Sequence, residues 1–220
     1  MNDTAADRTS ARSGAGSGAS IGSCWSCHGP VDPVALFCHV CGAIQPPGPA
    51  DHFKRLGLTP RFDLDPAEIG RRYVAFQQRL HPDRFAGKSA RERALAEQHA
   101  VSLNEAHETL KDPLRRGSYL LQLAGRTSPT AENRTIDDPA LLMETMERRE
   151  ALSEAASIDA VAVLAAAAAS DESALLDALK AAFVADDLDE ASDLLTRLRY
   201  LRKFAEEARA RRAVLAEAAP

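Results

Sequence analysis

The sequence predicts an all-α protein, in which a helical hairpin precedes a carboxy-terminal three-helix bundle and a small cysteine-rich module lies near the amino end. Three observations support this fold class. Apolar residues recur at helical spacing between capping signals over most of the chain. Aromatic residues are only 5% of the composition while alanine is abundant, which favours helix-on-helix packing. All four cysteines fall within residues 24–41.

The first element is the cysteine-rich module. Its cysteines form two pairs, Cys24-x2-Cys27 and Cys38-x2-Cys41, with ten residues between them. Two such pairs supply four thiolates at the spacing of a zinc-ribbon-like module. We therefore expect a structural zinc ion bound by Cys24, Cys27, Cys38 and Cys41. Two disulfides and an iron-sulfur cluster are the alternatives.

The neighbours of these cysteines bear on what the module binds. His28 and His39 stand beside ligands, but four thiolates are already available, so we expect both histidines to be bystanders. The segment from Cys24 to Cys41 contains no Lys or Arg, and the chain carries a net charge of -5. Phosphate contacts require cations, so we expect no nucleic-acid partner and interpret the module as structural or protein-docking.

The composition of the chain also bears on its cellular compartment. There is no run of about eighteen apolar residues, so no membrane span is expected. Residues 1–20 are rich in Gly, Ser and Ala, which predicts a disordered leader and not a secretory signal. Asp3 and Asp7 beside Arg8 and Arg12 argue against a mitochondrial transit peptide. We predict a bacterial cytoplasmic chain, with the mitochondrial matrix as the alternative.

The hairpin is predicted from capping signals. Its first helix begins at Asp65-Pro66-Ala67-Glu68, with Asp65 as N-cap and Pro66 as the first helical residue. Its apolar residues follow helical spacing: Ile69, Tyr73, Phe76 and Leu80. Three arginines lie between them: Arg71, Arg72 and Arg79. Pro82 ends this helix because it has no N–H to donate. A longer helix follows, from near Ser89 to Asp112.

The corner of the hairpin is the tripeptide His81-Pro82-Asp83. Proline fixes the backbone there, so His81 and Asp83 are displayed at the tip. The plainer interpretations are an ordinary turn and an ordinary solvated arginine face. A catalytic His/Asp dyad is not favoured, because neighbours on a tight corner are expected to point apart and no Ser or Cys nucleophile is placed by the local sequence.

A basic helix, this corner and an antiparallel partner helix resemble a J-domain over roughly residues 51–120. Further resembling segments are Leu56, Leu58 and Phe62, then Asn104-Glu105-Ala106 and Leu110-Lys111-Asp112-Pro113. The resemblance implies docking on an Hsp70 chaperone and acceleration of its ATP hydrolysis. The implied Hsp70-binding residues are His81, Pro82, Asp83, Arg71, Arg72 and Arg79.

The remaining helices form the carboxy-terminal part. A short helix after Pro113 ends at Gly125. Three more are predicted, from Asp138-Pro139 to about Ala156, from about Ile158 to Ala185 where Ser170 could bend it, and from near Asp187 onward. Short connections predict an antiparallel bundle. The predicted units are a leader at 1–20, a zinc-binding module at 21–48, a J-domain at 51–123, a linker at 124–137 and a three-helix bundle at 138–217.

The first bundle helix carries a mixed stripe. Its members share a sector of about 140°. They are Leu142, Met143, Met146, Glu147, Glu150 and Glu154. The opposite face carries Leu141, Leu152, Ala155 and Ala156, enough to pack on the bundle. Periodicity alone leaves two interpretations open, an exposed docking stripe of methionine and carboxylate, or Leu142 and Met146 as core.

A more specific resemblance favours the docking stripe. The J-domain, the segment Leu141 to Glu150 and the late Leu198-Arg199-Tyr200-Leu201 together resemble the HscB family, over residues 51 to about 210. These are J-type co-chaperones dedicated to iron-sulfur cluster biogenesis. The resemblance implies that the bundle binds an IscU-type scaffold, that the J-domain stimulates an HscA-type Hsp70, and that the chain is not itself an enzyme. The implied scaffold contacts are Leu142, Met143, Met146, Glu147, Glu150, Glu154 and Tyr200.

The chain departs from the family pattern at two of these positions. Met146 stands where leucine is usual, and Tyr200 stands where phenylalanine is usual. Tyr200 is off the apolar stripe of its helix, so we expect it to point away from the bundle core. The opening Cys24-Trp25-x-Cys27 is similar to the amino-terminal extension of mitochondrial members. The alternative function is a general J-protein for unfolded clients, with the bundle as a dimerisation module and a homodimer as the assembly.

Overall fold

The computed structural model describes residues 21–127 and 138–217, so the predicted leader and most of the predicted linker lie outside the described residues. Within these ranges the chain forms a two-stranded antiparallel sheet and seven α-helices. The strands are β1 (Gly22–Ser23) and β2 (Pro30–Val31). The helices are α1 (His52–Arg55), α2 (Pro66–Leu80), α3 (Ala90–Lys111), α4 (Pro113–Leu123), α5 (Pro139–Glu154), α6 (Ile158–Val184) and α7 (Leu188–Glu217). The all-α prediction is confirmed.

The hairpin of α2 and α3 follows from its caps. The Asp65 carboxylate accepts the N–H of Ala67 at the start of α2. A capping box between Ser89 and Glu92 starts α3. Apolar side chains of both helices are buried in one cluster: Ile69, Leu80, Leu95, Leu103 and Leu110. A 3-10 turn over Pro82–Phe85 joins the helices and therefore holds the His-Pro-Asp corner at one end of the hairpin.

The cysteine module packs on this hairpin. Ile44 is only 1% exposed and belongs to the same hydrophobic cluster as Phe53 and Leu80. The indole N–H of Trp25 donates a 2.6 Å hydrogen bond to the Ile44 carbonyl. The guanidinium of Arg91, on α3, lies 4.3 Å from the centroid of the Trp25 ring system. The module and the hairpin thus share a core.

The carboxy-terminal helices form a bundle around α7. Helix α6 packs along α7, and α5 packs on α7 from another side. Helix α4 also packs on α7, and Leu121, Leu195 and Phe62 lie in one buried cluster. The Arg202 guanidinium bridges Asp112 at 2.7 Å and Glu172 at 2.8 Å. The hairpin side and the bundle are therefore joined by apolar and ionic contacts.

One local expectation is wrong, and three short elements were not predicted. Ala156 is exposed, because α5 ends at Glu154 and Ala155 adopts an extended backbone. Helix α6 runs unbroken through Ser170. Helix α1 and the two strands were not predicted, because elements of two to four residues show no hydrophobic periodicity.

Candidate functional site

The four cysteines converge on one point. Their Sγ atoms all lie within 4.8 Å of one another. The Sγ atoms of Cys24 and Cys41 are 3.7 Å apart, and those of Cys27 and Cys38 are 3.8 Å apart. A tetrahedral ion with metal–sulfur bonds of about 2.3 Å needs sulfur–sulfur edges of about 3.8 Å, whereas a disulfide needs about 2.05 Å. The cysteines are free, so the disulfide alternative is wrong and the donor set fits a metal ion.

The two cysteine pairs have the same backbone geometry. In the first, the N–H of His28 donates to the carbonyl of Cys24, and in the second, the N–H of Gly42 donates to the carbonyl of Cys38. His28 and Gly42 both have positive φ, at 59° and 73°. His28 thus has the left-handed backbone conformation that this turn requires. The potential metal-binding cluster found among the described residues contains cysteines only.

Hydrogen bonding selects one thiol of the cluster for ionisation. Burial opposes the thiolate of Cys24, but backbone hydrogen bonds from Cys27 and Ser26 outweigh burial and lower the Cys24 pKa to about 6. A backbone hydrogen bond from Gly29 favours the Cys27 thiolate, yet the neighbouring sulfurs, Cys41 first among them, raise the Cys27 pKa to about 12. Close sulfurs resist a second negative charge, so a bound cation is needed to hold four thiolates together.

The His-Pro-Asp corner is a locally capped turn. The Asp83 N–H donates to Nδ1 of His81 at 3.3 Å, and that nitrogen lies 3.5 Å from a carboxylate oxygen of Asp83. The expectation that these side chains point apart is therefore wrong. Both are well exposed, with 60% and 90% of the side-chain surface accessible. The turn thus presents an imidazole and a carboxylate side by side to a partner.

The three arginines of α2 are in different surroundings. Arg71 pairs with Asp65 and Arg72 pairs with Glu68, each at 3.5 Å, and both arginines are exposed to solvent. Such exposed pairs are weak and exchange readily for a partner's carboxylates. The Arg79 guanidinium lies 5.2 Å from the ring centroid of Phe37 and 5.7 Å from that of Phe76. Arg79 therefore faces the cysteine module, which the sequence did not indicate.

The stripe on α5 is exposed. Leu142, Met143 and Met146 are 46%, 61% and 59% accessible. The glutamates of the stripe are exposed as well: Glu147, Glu150 and Glu154. Leu141 and Leu152 on the opposite face are buried. The interpretation of Leu142 and Met146 as core is wrong, and α5 presents apolar and acidic groups together to solvent.

Tyr200 lines a cleft of about 320 Å³ between α5, α6 and α7. It is half-buried, and the Arg199 guanidinium lies 4.8 Å from its ring centroid. The neighbouring Leu198 and Leu201 are buried, as expected from their stripe. The cleft also contains Arg148, which bridges Glu144 and Asp171. The i, i+4 spacing of Glu144 and Arg148 in the sequence is compatible with their ion pair. Nothing in the sequence indicates the cleft itself.

A membrane-spanning role finds no support in the described residues, where every helix is too short or too polar to cross a bilayer.

Comparisons with known proteins agree with the geometry. A family model described as the HSCB C-terminal oligomerisation domain matches residues 137–209. The chain is 35% identical over 188 residues to the "Iron-sulfur cluster co-chaperone protein HscB" of Homo sapiens, covering 84% of this chain and 80% of that protein. It is similar to the crystal structure of human HscB, with a TM-score of 0.77, 34% identity and coverage of 86% and 98%. For the chaperone HscB from Vibrio cholerae the TM-score is 0.67, with 32% identity and coverage of 76% and 99%.

Proposed function

This chain belongs to the HscB family of iron-sulfur cluster co-chaperones, and we propose from that premise that it delivers an IscU-type scaffold protein to an HscA-type Hsp70. The bundle binds the scaffold, and the His-Pro-Asp corner stimulates ATP hydrolysis by the Hsp70. Hydrolysis locks the scaffold in the chaperone and favours cluster transfer. The chain itself acts as an adaptor and supplies binding surfaces.

The exposure of Met143 and Met146 carries this proposal. Long apolar side chains on a bundle helix are normally buried, yet these two are about 60% accessible. Methionine adapts its shape to a partner's surface, and the flanking glutamates add charge selectivity. The stripe together with Tyr200 at the neighbouring cleft is the scaffold-binding surface that we propose. Its seven residues are Leu142, Met143, Met146, Glu147, Glu150, Glu154 and Tyr200.

The Hsp70-docking surface that we propose comprises the His-Pro-Asp corner at one end of the hairpin and three arginines along α2. Its residues are His81, Pro82, Asp83, Arg71, Arg72 and Arg79. The imidazole and carboxylate at the corner offer directional hydrogen bonds, and the arginines attract an acidic partner surface. Packing of α4 against α7 fixes the position of the hairpin, and so of this surface, relative to the bundle.

For the metal centre we propose zinc, held by Cys24, Cys27, Cys38 and Cys41. Zinc would stabilise the module without redox chemistry, because Zn²⁺ is d¹⁰, and a closed set of four thiolates would leave no open position for a substrate. An iron-sulfur cluster on the same thiolates would give the purified protein visible absorption. Elemental analysis together with an absorption spectrum separates the two.

Replacing His81 by Gln tests the division of labour. We expect His81→Gln to lose stimulation of the Hsp70 ATPase and to retain scaffold binding. The reciprocal control is a Met143→Ala/Met146→Ala variant, which should lose scaffold binding and retain stimulation of the scaffold-free ATPase. Loss of both activities in a folded His81→Gln protein would contradict the proposal.

A general J-protein with a dimerising bundle is the second candidate, and the description of the matching family model as an oligomerisation domain favours testing it. Light scattering on the purified chain would detect a homodimer. Binding of diverse unfolded clients as tightly as the scaffold would favour this candidate. For the compartment we propose the bacterial cytoplasm, with the mitochondrial matrix as the alternative.

A further inference from the structure

A groove of about 260 Å³ separates the cysteine module from the loop that follows the His-Pro-Asp corner. The module side is lined by Phe37, Gly42 and Ile44. The hairpin side is lined chiefly by Arg79, Arg84 and Lys88. Arg84 follows Asp83 directly in the chain, so the groove is continuous with the proposed Hsp70-docking corner.

The lining of this groove holds three cations and one acid, Glu92, which attracts Lys88 electrostatically but forms no ion pair within 4 Å among the described residues. Arg84 and Lys88 form no ion pair within 4 Å in the described part of the chain, and the Arg79 guanidinium lies over the rings of Phe37 and Phe76. The Glu92 carboxylate already accepts the backbone N–H and the hydroxyl of Ser89. The groove is thus a local excess of positive charge on a chain of net charge -5.

The module gives the groove its shape. Phe37 is held opposite Ile44 by an isolated β-bridge, and Ile44 is anchored in the hairpin core. Phe37 in turn lies under the Arg79 guanidinium. An arginine stacked on an aromatic ring is preorganised, so it loses less conformational entropy when a partner binds. Without the docked module, Arg79 would lose this support. The groove would also lose one of its walls.

We propose that the cysteine module and the loop after His81-Pro82-Asp83 form a composite groove that binds an acidic polypeptide segment of the Hsp70 partner. The inference rests on the proposed function and extends the docking surface onto the module. An acidic polypeptide fits better than nucleic acid because only one wall carries cations. The module wall is apolar, and residues 24–41 contain no Lys or Arg.

Binding titrations of the full-length, metal-loaded protein with an HscA-type Hsp70 test the groove. The double charge reversal Arg84→Glu/Lys88→Glu should weaken binding about tenfold at low salt. The loss should shrink as salt rises, because salt screens exposed charges. The matched control is Arg209→Glu/Arg212→Glu on α7, whose two exposed arginines lie outside the groove lining. This control should bind like the unmodified chain.

The module's contribution is tested at Phe37, which is not a metal ligand. Phe37→Ala should weaken Hsp70 binding about two- to fivefold while one metal ion per chain is retained. If Phe37→Ala loses metal, Phe37→Leu keeps the apolar contact and removes the ring face from Arg79. Normal Hsp70 binding by a metal-loaded Phe37→Leu protein would overturn the module's role.

The outcomes separate this inference from the function on which it rests. If His81→Gln abolishes ATPase stimulation but Arg84→Glu/Lys88→Glu binds normally, the groove is overturned and the proposed function stands. If His81→Gln leaves stimulation intact, the proposed function itself fails. Binding of a single-stranded oligonucleotide that is lost in Arg84→Glu/Lys88→Glu would overturn the acidic polypeptide as the occupant.

Discussion

The backbone carbonyl of Gln45 accepts a 2.8 Å hydrogen bond from Nε2 of His99. A carbonyl oxygen can only accept, so this nitrogen carries the imidazole hydrogen. The side-chain amide of Gln45 donates to Sγ of Cys24 at 3.3 Å. One buried glutamine therefore joins the cysteine cluster to α3, and the module is a part of the hairpin's structure.

Replacing His99 by Leu should destabilise the protein. The substitution leaves the carbonyl of the buried Gln45 without its donor, which costs about 1–3 kcal/mol of the free energy of unfolding. Urea denaturation followed by circular dichroism measures the change. The control is Gln98→Leu at an exposed position of α3, expected within about 0.5 kcal/mol of the unmodified chain. Equal losses in both variants would show that the Gln45–His99 bond contributes nothing.

Stability should fall as the pH drops below neutrality. Burial lowers the pKa of His99 and of His52 from their usual values. As the pH falls through about 6.5, these histidines take up protons in the unfolded chain before they do so in the folded chain. The free energy of unfolding therefore falls until the pH passes the lowered pKa values of the folded state. Melting curves at about pH 7.5 and about pH 5.5 measure this slope. His99→Leu should flatten it, and an unchanged slope would assign the effect to other groups.

Removing the metal should loosen the module and leave the bundle intact. Cys38→Ala deletes one ligand, so we expect the metal content to fall to zero. Since metal binding supplies on the order of 10 kcal/mol to such modules, amide protection should be lost at Cys24 and Gln45, whose backbone N–H groups donate to the carbonyls of Gly29 and Leu36. Hydrogen exchange measured by mass spectrometry would show unchanged protection in α6 and α7. His39→Ala is the control and should keep its metal; if Cys38→Ala keeps it too, the proposed ligand set is wrong.

The parts of the fold that were predictable are those with strong local signals. Asp65-Pro66 and the Ser89/Glu92 pair begin their helices as expected, because caps satisfy helix N–H groups locally. The cysteine spacing predicted the cluster for a similar reason, since each pair folds around its own turn. None of these inferences needed knowledge of tertiary contacts.

The packing contacts between separate segments of the chain were not predictable from the sequence. Ile44 lies in a segment rich in Gly and Pro without periodicity, so nothing in the sequence placed it in the hairpin core. The contact of Arg79 with Phe37 joins positions 42 residues apart and depends on that docking. On α5 the mixed stripe left two faces of similar character, and only packing against α7 decided which one is buried.

The α5 surface gives a further prediction. Met143→Ala/Met146→Ala/Tyr200→Ala should weaken scaffold binding at least tenfold, because apolar anchors near the centre of an interface dominate its affinity. The helical circular dichroism signal should stay unchanged, since the two methionines are exposed and Tyr200 lies at a cleft. Leu141→Ala is the contrasting variant: its side chain is buried, so it should cost about 2–5 kcal/mol of the free energy of unfolding. Helix loss in the triple variant would contradict the docking role.

Two glycine substitutions should change stability in opposite directions. A Cβ at Gly117 on α4 would lie 2.7 Å from a methyl carbon of Leu195 on α7 and 3.3 Å from the Phe62 ring. Both neighbours are buried, so Gly117→Ala should cost about 1–3 kcal/mol through overpacking. Gly70 on α2 has open space around its Cβ position, so Gly70→Ala should add about 0.5–1 kcal/mol by favouring the helix. Urea denaturation measures both, and a Gly117→Ala protein as stable as the unmodified chain would show that α4 and α7 are not packed this closely.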